Sequence, residues 1–256
     1  MSKGLKDVEE AYIKVKEEKR RKDEDLLKTV EEVFDKFTLE ALYKLINKKV
    51  IGLLHGVVDS GKESRVYWAK SPKGEDLAVK IFLTSTREFK KTILQYVEGD
   101  PRFKKIRMAT RPLIYTWAMK EFKNLKKAYE ASVSVPRPIA VYRNVLVMSF
   151  IGDNGTPAPL LRDVELDDYE GMLYKIVDNL KTLYCRAEMV HADMSEYNIM
   201  VWRNEPVFFD FGQAVLTSHP NANLFLERDV RNIVNFFRKK GVKVDVEELL
   251  IEILKC

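Results

Sequence analysis

Asp193, Asn198 and Asp210 are the residues of this 256-residue chain whose types and spacing point most directly to chemistry. They lie in Val190-His191-Ala192-Asp193-Met194-Ser195-Glu196-Tyr197-Asn198 and, further on, in Asp210-Phe211-Gly212. Phosphoryl transfer needs a carboxylate that orients the attacking hydroxyl and accepts its proton, and oxygen ligands that hold Mg²⁺ against the phosphates. The D-x-x-x-x-N spacing followed by D-F-G supplies both, Asp193 for the first role and Asn198 and Asp210 for the second. Each residue alone is an ordinary loop or turn former. Together, with a hairpin predicted between them, they form a constellation. His191 reads as a structural hydrogen-bonding residue, and the three histidines are too scattered for a metal site.

A phosphate-binding cation is supplied by Ala78-Val79-Lys80-Ile81, a predicted strand whose lysine is placed to meet the α- and β-phosphates. Its partner is found independently. On the helix predicted after Pro112, an apolar stripe runs through Ile114, Trp117, Leu125 and Ala128, and Glu121 falls within it at helical spacing. A carboxylate on a buried stripe needs a cation, so Lys80 is expected to pair with Glu121.

The segment from Gly56 to Ser64 nearly matches the G-x-x-x-x-G-K-[ST] loop of P-loop nucleotide hydrolases. The match fails at Glu63, which replaces the Mg²⁺-binding hydroxyl, and at Arg65–Ala69, which reads as a strand where a helix N-terminus is required. A turn between strands lying over phosphates fits better, with Ser60, Lys62 and Ser64 as donors and Val58 in the slot of a second glycine.

These residues need a scaffold. Strands are predicted at 51–58, 65–69 and 77–83, the last two joined by Ser71-Pro72-Lys73-Gly74, as an antiparallel meander. Residues 84–110 read as a long connection, Pro112 sits in the first turn of a helix reaching Ala131, and further strands follow at 139–142 and 145–150. The Gly/Pro-rich stretch 152–159 is the candidate linker between lobes. Beyond it Leu173, Ile176, Val177, Leu180, Leu183, Tyr184 and Ala187 mark one buried helical face. A hairpin at 199–209 and helices near 226–239 and 244–254 close an α+β chain of two lobes meeting at a polar crease.

Composition bounds the alternatives. With 46% hydrophobic and 32% charged residues the chain can bury a core and stay soluble. Residues 1–30 carry 17 charges and read as a helical arm, with packed helices following between Leu26 and Ile46. Two cysteines, Cys185 and Cys256, are too few for a disulfide framework or a Cys-rich zinc site. The absence of a long apolar run or an apolar N-terminus predicts a cytoplasmic protein with no membrane association. The net charge of +5 is concentrated between Arg87 and Lys127, where 12 Lys or Arg face 4 Asp or Glu, a patch able to neutralise nucleic-acid phosphates.

The chain resembles the RIO family of atypical serine protein kinases, in particular its first subfamily. The resemblance covers residues 50–239 and rests on Ser60-Gly61-Lys62-Glu63-Ser64, Ala78-Val79-Lys80, the helix segment from Trp117 to Leu125, His191–Asn198 and Asp210–Gln213. It implies a bilobal protein-kinase-like fold, with a helical extension at 1–48, an N-lobe of antiparallel sheet and helix at 49–151 that includes a flexible basic loop at 84–110, and a mostly helical C-lobe at 152–256. It also implies an autophosphorylating, ATP-dependent kinase and ATPase using Mg²⁺ or Mn²⁺ in maturation of the small ribosomal subunit, with ribosomal RNA meeting the basic 87–127 segment. Asp193, Lys80 and Glu121 would be catalytic, and Asn198 and Asp210 would hold the metal. Val58, the Ser60–Ser64 turn, Ala78 and a hinge of Met148, Ser149, Phe150 and Ile151 would bind ATP, adenine meeting the Ser149 carbonyl and Ile151 amide. Asp229 would tie down the catalytic loop, and Asp210 is a candidate for an aspartyl-phosphate.

Two departures from ordinary kinases stand out. Ser195 occupies the place of a lysine that assists the transferred phosphate, so turnover is expected to be slow. Too few residues separate Gly212 from the helix of Asp229 for an activation segment, and no A-P-E tripeptide occurs. Two alternatives stay open: a ribosome-assembly factor gated by nucleotide, and a small-molecule phosphotransferase of the aminoglycoside type, which also uses H-x-D-x-x-x-x-N.

Overall fold

The structure, a computed structural model, describes residues 35–83 and 110–256. The N-terminal arm and the 84–109 connection lie outside the described residues. Helix α1 (Lys36–Asn47) starts at Asp35, whose Oδ1 accepts from the Phe37 and Thr38 amides at 2.9 Å each, satisfying two donors that the first helical turn leaves open. Residues 35–44 belong to one compact unit and Leu45–Cys256 to another.

Five antiparallel strands form the sheet of the second unit: β1 (Leu53–Ser60), β2 (Ser64–Lys70), β3 (Asp76–Phe82), β4 (Pro138–Tyr142) and β5 (Val145–Ser149), in the order β1-β2-β3-β5-β4. All five match predicted strands to within about two residues. The register decides which residues share a face. Val66 opposes Lys80, Lys80 opposes Leu146, and Ala78 opposes Met148, so with the two-residue period of a strand these side chains stand on one face. Tyr67, Ala69, Val79, Ile81 and Val147 occupy the other face and are buried.

Helix α2 (Thr110–Glu130) carries Pro112 in its first turn, where no intrahelical N–H is lost. The predicted linker is a small hairpin, β6 (Gly152–Asp153) and β7 (Thr156–Pro157), whose Gly155 has φ +82°. A Cβ there would lie 2.7 Å from the Trp68 ring, so only glycine lets this turn sit against the N-lobe sheet.

The C-lobe is built on α3 (Tyr169–Cys185), α4 (Ala222–Lys239) and α5 (Val246–Leu254). Asp168 and Asp245 cap α3 and α5 through the Gly171 and Glu247 amides, each at 2.8 Å. The predicted face of α3 is buried from Leu173 to Leu183 and packs in one cluster with Phe225, Leu226, Val230, Ile233, Val234 and Phe237 of α4. Each such side chain contributes about 1.5–3 kcal/mol when removed from water, and this core is what makes the lobe a rigid support. Two short ladders lie on it: β8 (Met189–Val190) with β11 (Val215–Leu216), and the predicted hairpin β9 (Ile199–Trp202) with β10 (Glu205–Phe208). Its turn residues Arg203 and Asn204 have φ of 52° and 63°, the left-handed pair that matches strand twist. The two cysteines form one disulfide, Cys185–Cys256, joining the end of α3 to the last residue, a pairing that the sequence reading did not anticipate. No helix among the described residues is long and apolar enough to cross a membrane.

Candidate active site

Asp193 lies in a loop pinned from below by α4. Asp229, fully buried on that helix, accepts from the Ala192 amide at 2.7 Å through Oδ2 and from the Met194 amide at 2.9 Å through Oδ1. Arg228 donates to the Ala192 carbonyl and Asn232 to the Met194 carbonyl, so both residues flanking Asp193 are held at N–H and at C=O. Ala192 has φ 63°, a conformation costly for a residue with a Cβ, and these four contacts fix it. Burial pushes the Asp229 carboxyl up to about 7, against the pull of its two amide donors. Asp229 therefore does what the sequence assigned to it, while Arg228 and Asn232 were not foreseen.

Asn198 faces Asp193 from the end of the same loop. Its Nδ2 donates to the Asp193 carbonyl at 2.7 Å and to Asp193 Oδ2 at 3.3 Å, which orients the carboxylate and leaves the amide oxygen as the group turned elsewhere. Burial, then the charge of Asp210, raises the Asp193 carboxyl to about 6, with Asn198 and Arg228 opposing. His191 is buried, its Nε2 lies 3.0 Å from the Phe209 carbonyl, and burial pushes its pKa down to about 4. A neutral ring fixed to the backbone and packed edge-on against Phe211 is structural, as expected.

Across the crease, Lys80 of β3 reaches Glu121 of α2, with Nζ 2.8 Å from Oε1 and 3.0 Å from Oε2, and also Asp210 Oδ1 at 2.9 Å. The predicted pair is present, and Asp210 completes a triad. Lys80 and Glu121 are almost wholly buried, whereas the Asp210 side chain is 46% exposed. Burial alone would lower the Lys80 pKa, but Asp210 and Glu121 more than offset it and keep the ammonium charged. Burial raises Glu121 to about 7 against the pull of Lys80. For Asp210 desolvation also pushes upward, but Lys80 outweighs it and the carboxyl ends below its usual range.

The helix that presents Glu121 also fixes the Asp210-Phe211-Gly212 segment. Lys120 donates to the carbonyls of Gly212 and Ala214 at 2.7 and 2.8 Å, and Asn124 to those of Phe211 and Ala214 at 2.9 Å each. A Cβ on Gly212 would sit 3.1 Å from Trp117 and 3.2 Å from Glu121, so the segment runs hard against the helix. Trp117, Lys120, Glu121 and Asn124 follow helical spacing on one face. Sequence reasoning took Glu121 from that face and gave Lys120 and Asn124 no role.

Two cavities adjoin along the crease. One, of about 370 Å³, is lined mainly by apolar groups, among them Val58, Val66, Ala78, Met148, Phe150, Ile151, Pro136, Met200 and Tyr197, and reaches Asn198 and Asp210. All four predicted hinge residues line it. The Ser149 amide and hydroxyl are joined to Arg137 at 2.9 and 2.8 Å, and the Ile151 carbonyl accepts from Ala158 at 2.9 Å, which holds the hinge extended. The second cavity, about 230 Å³, is polar and is lined by Asp59, Gly61, Lys62, Glu63, Ser64, Lys80, Glu121 and Asp210 among others. Ser60 departs from expectation. It is exposed and lines neither cavity, whereas its neighbours Val58 and Asp59 both line the apolar one, β1 being irregular in register between Val57 and Asp59. An apolar slot opening into a compartment with two ammonium groups and several carboxylates suits a ligand with a flat apolar base and a polyanionic tail carried with a cation.

Comparison with known proteins bears on the family and the fold. The model of the RIO domain matches residues 65–249. The RIO-type serine/threonine-protein kinase Rio1 of Methanocaldococcus jannaschii is 44% identical over 232 residues, 91% of this chain and 79% of that one. Among solved structures, the Rio2 kinase from Chaetomium thermophilum superposes with a TM-score of 0.64 at 25% identity, covering 84% of this chain and 67% of that one. Its ADP/Mg²⁺-phosphoaspartate complex gives a TM-score of 0.64 at 24% identity, covering 84% of this chain and 66% of that one. The kinase-like bilobal fold expected from the sequence is the fold these structures share.

Proposed function

We propose, from the premise that this chain belongs to the RIO family of serine/threonine protein kinases, that it transfers the γ-phosphate of ATP to serine hydroxyls, its own included. The observation that carries this reading is the convergence of Lys80, Glu121 and Asp210 on one another at the polar end of an apolar, base-sized slot.

In this reading adenine lies between Val58, Ala78 and Met148 and meets the backbone of Ser149 and Ile151. Lys80 orients the α- and β-phosphates, and Glu121 keeps its ammonium in place. Asp193 accepts the proton of the attacking hydroxyl; a carboxyl near 6 is ionised at neutral pH yet more basic than an ordinary aspartate, which suits a general base. Asn198 Oδ1 and Asp210 would hold Mg²⁺ or Mn²⁺, which when bound neutralises charge on the phosphates. The donor set fits such an ion, since Mg²⁺ is commonly held by one or two carboxylates together with substrate phosphates rather than by an all-protein cage. Ser195 adds no positive charge beside the transferred group, so slow turnover is expected.

The test is incubation with γ-labelled ATP and Mg²⁺ followed by mass-spectrometric mapping. Phosphoserine on the wild type and none on Asp210→Asn is expected; equal labelling of both proteins contradicts the assignment. The Rio2 phosphoaspartate complex supports a parallel assay for acid-labile phosphate on Asp210.

A second reading, a nucleotide-gated assembly factor with incidental phosphotransfer, is favoured by one observation. Only residues 213–221 separate Gly212 from α4, which leaves no room for the segment that positions peptide substrates in ordinary kinases. The family resemblance supports the small ribosomal subunit precursor as the partner and ATP hydrolysis as part of the cycle, with the basic residues of 87–127 as the candidate contact for ribosomal RNA. Cofractionation with precursor particles in the presence of a non-hydrolysable nucleotide is expected, and its absence argues against this setting.

A further inference from the structure

Glu63 is a carboxylate where a phosphate-covering turn ordinarily offers donors. It lines the polar cavity beside Lys62, Ser64, Lys80 and Asp210. Its carbonyl accepts from the Leu83 amide at 2.9 Å and the Ser64 carbonyl accepts from Gly61 at 2.9 Å, so the turn is braced at its base. Burial, then the charge of Asp210, raises its carboxyl above the ordinary value, with Lys80 opposing and Asp193 adding to the rise. Four carboxyl groups, Asp59, Glu63, Glu121 and Asp210, thus line this compartment against two ammonium groups, Lys62 and Lys80, and Lys80 is already held by Glu121 and Asp210. A bare triphosphate entering this compartment adds further negative charge within a few ångströms of Glu63, at an effective dielectric well below that of water. Phosphates already bridged by a divalent cation present the opposite sign.

We infer that Glu63 makes nucleotide binding conditional on the divalent cation: its carboxylate rejects the metal-free triphosphate and tolerates or favours the cation-bridged one. It acts as a specificity-determining residue of the phosphate site, and the inference rests on the reading that the crease takes ATP.

Calorimetric titration with ATP tests this in two buffers, excess Mg²⁺ and excess EDTA, for the wild type, Glu63→Gln and Glu63→Asp. The quantity read is the ratio of the EDTA to the Mg²⁺ dissociation constant. That ratio is expected to shrink about tenfold in Glu63→Gln, mainly through tighter binding in EDTA, since one like charge has been removed at close range. It should stay near the wild-type value in Glu63→Asp, which keeps the charge. Adenosine, with no phosphates, should bind all three proteins alike. An unchanged ratio in Glu63→Gln, or equal weakening in both buffers, overturns the inference while leaving the ATP reading intact. A wild type that takes no ATP in either buffer overturns both.

Discussion

The two ends of the crease are built on opposite principles. The apolar end is walled mainly by strand residues and the predicted hinge, Val58, Val66, Ala78, Met148, Phe150 and Ile151. The polar end is walled by ionisable side chains drawn from the 59–64 turn, β3, α2 and the Asp210 segment, with Lys80, Glu121 and Asp210 fixed on one another. An apolar slot recognises a ligand by shape and tolerates small changes of side chain. A cluster of charges in low dielectric depends on each member, because removing one leaves the others without compensation.

The sharpest break between the two ends is expected at Asp193. Asp193→Asn should lower the rate of phosphate transfer about 10³-fold, within the range for loss of a general base, and leave the Mg²⁺-ATP dissociation constant within about threefold, as rapid-quench kinetics and titration will show. The same carboxyl sets a pH limb. Its raised pKa means that the base is protonated, and activity lost, as pH falls through about 6; kcat/KM should rise to a plateau above that pH, and the limb should vanish in the variant.

Next in size is the buried pair. Glu121→Gln leaves Lys80 with Asp210 as its remaining carboxylate partner among the described residues and should cost about 2 kcal/mol in chemical denaturation, less than the roughly 3–5 kcal/mol for breaking an isolated buried pair. The smallest effect belongs to the apolar end. Ala78→Leu adds bulk to a slot of about 370 Å³; overpacking costs about 1–3 kcal/mol, so ATP affinity should fall about tenfold or more while the rate at saturating nucleotide stays near wild type. A loss of rate at saturation comparable to that of Asp193→Asn would erase the distinction between the ends.

The charged end was also the more legible in sequence. Asp193, Asn198 and Asp210 declare themselves by spacing, and Glu121 by being a carboxylate inside an apolar stripe. Lys120 and Asn124 lie on the same helical face yet passed unnoticed, because they bind backbone carbonyls, and a carbonyl leaves no trace in the residue code. Arg228 and Asn232 escaped for the same reason. The hinge emerged only through family resemblance, since a strand end that offers backbone atoms looks like any strand end. That Asp59 rather than Ser60 lines the cavities was not legible, because the register irregularity of β1 between Val57 and Asp59 breaks the simple alternation of a strand. The strands and helices, whose apolar periodicity is strong, were read nearly to their ends, whereas the two-residue ladders β8–β11 and β6–β7 are too short to carry a period. The disulfide joins residues 71 apart, a proximity that only the packing of α3 and α5 creates.

The central claim is that Asn198 and Asp210 hold a divalent cation together with the phosphates of ATP. Among the described residues no group of three or more His, Cys, Asp or Glu is placed to hold an ion. Electron paramagnetic resonance of Mn²⁺ is therefore the most direct measurement. The account predicts a protein-bound Mn²⁺ signal that requires ATP and is lost in Asp210→Asn; Mn²⁺ bound equally well without nucleotide, or unchanged in that variant, contradicts it.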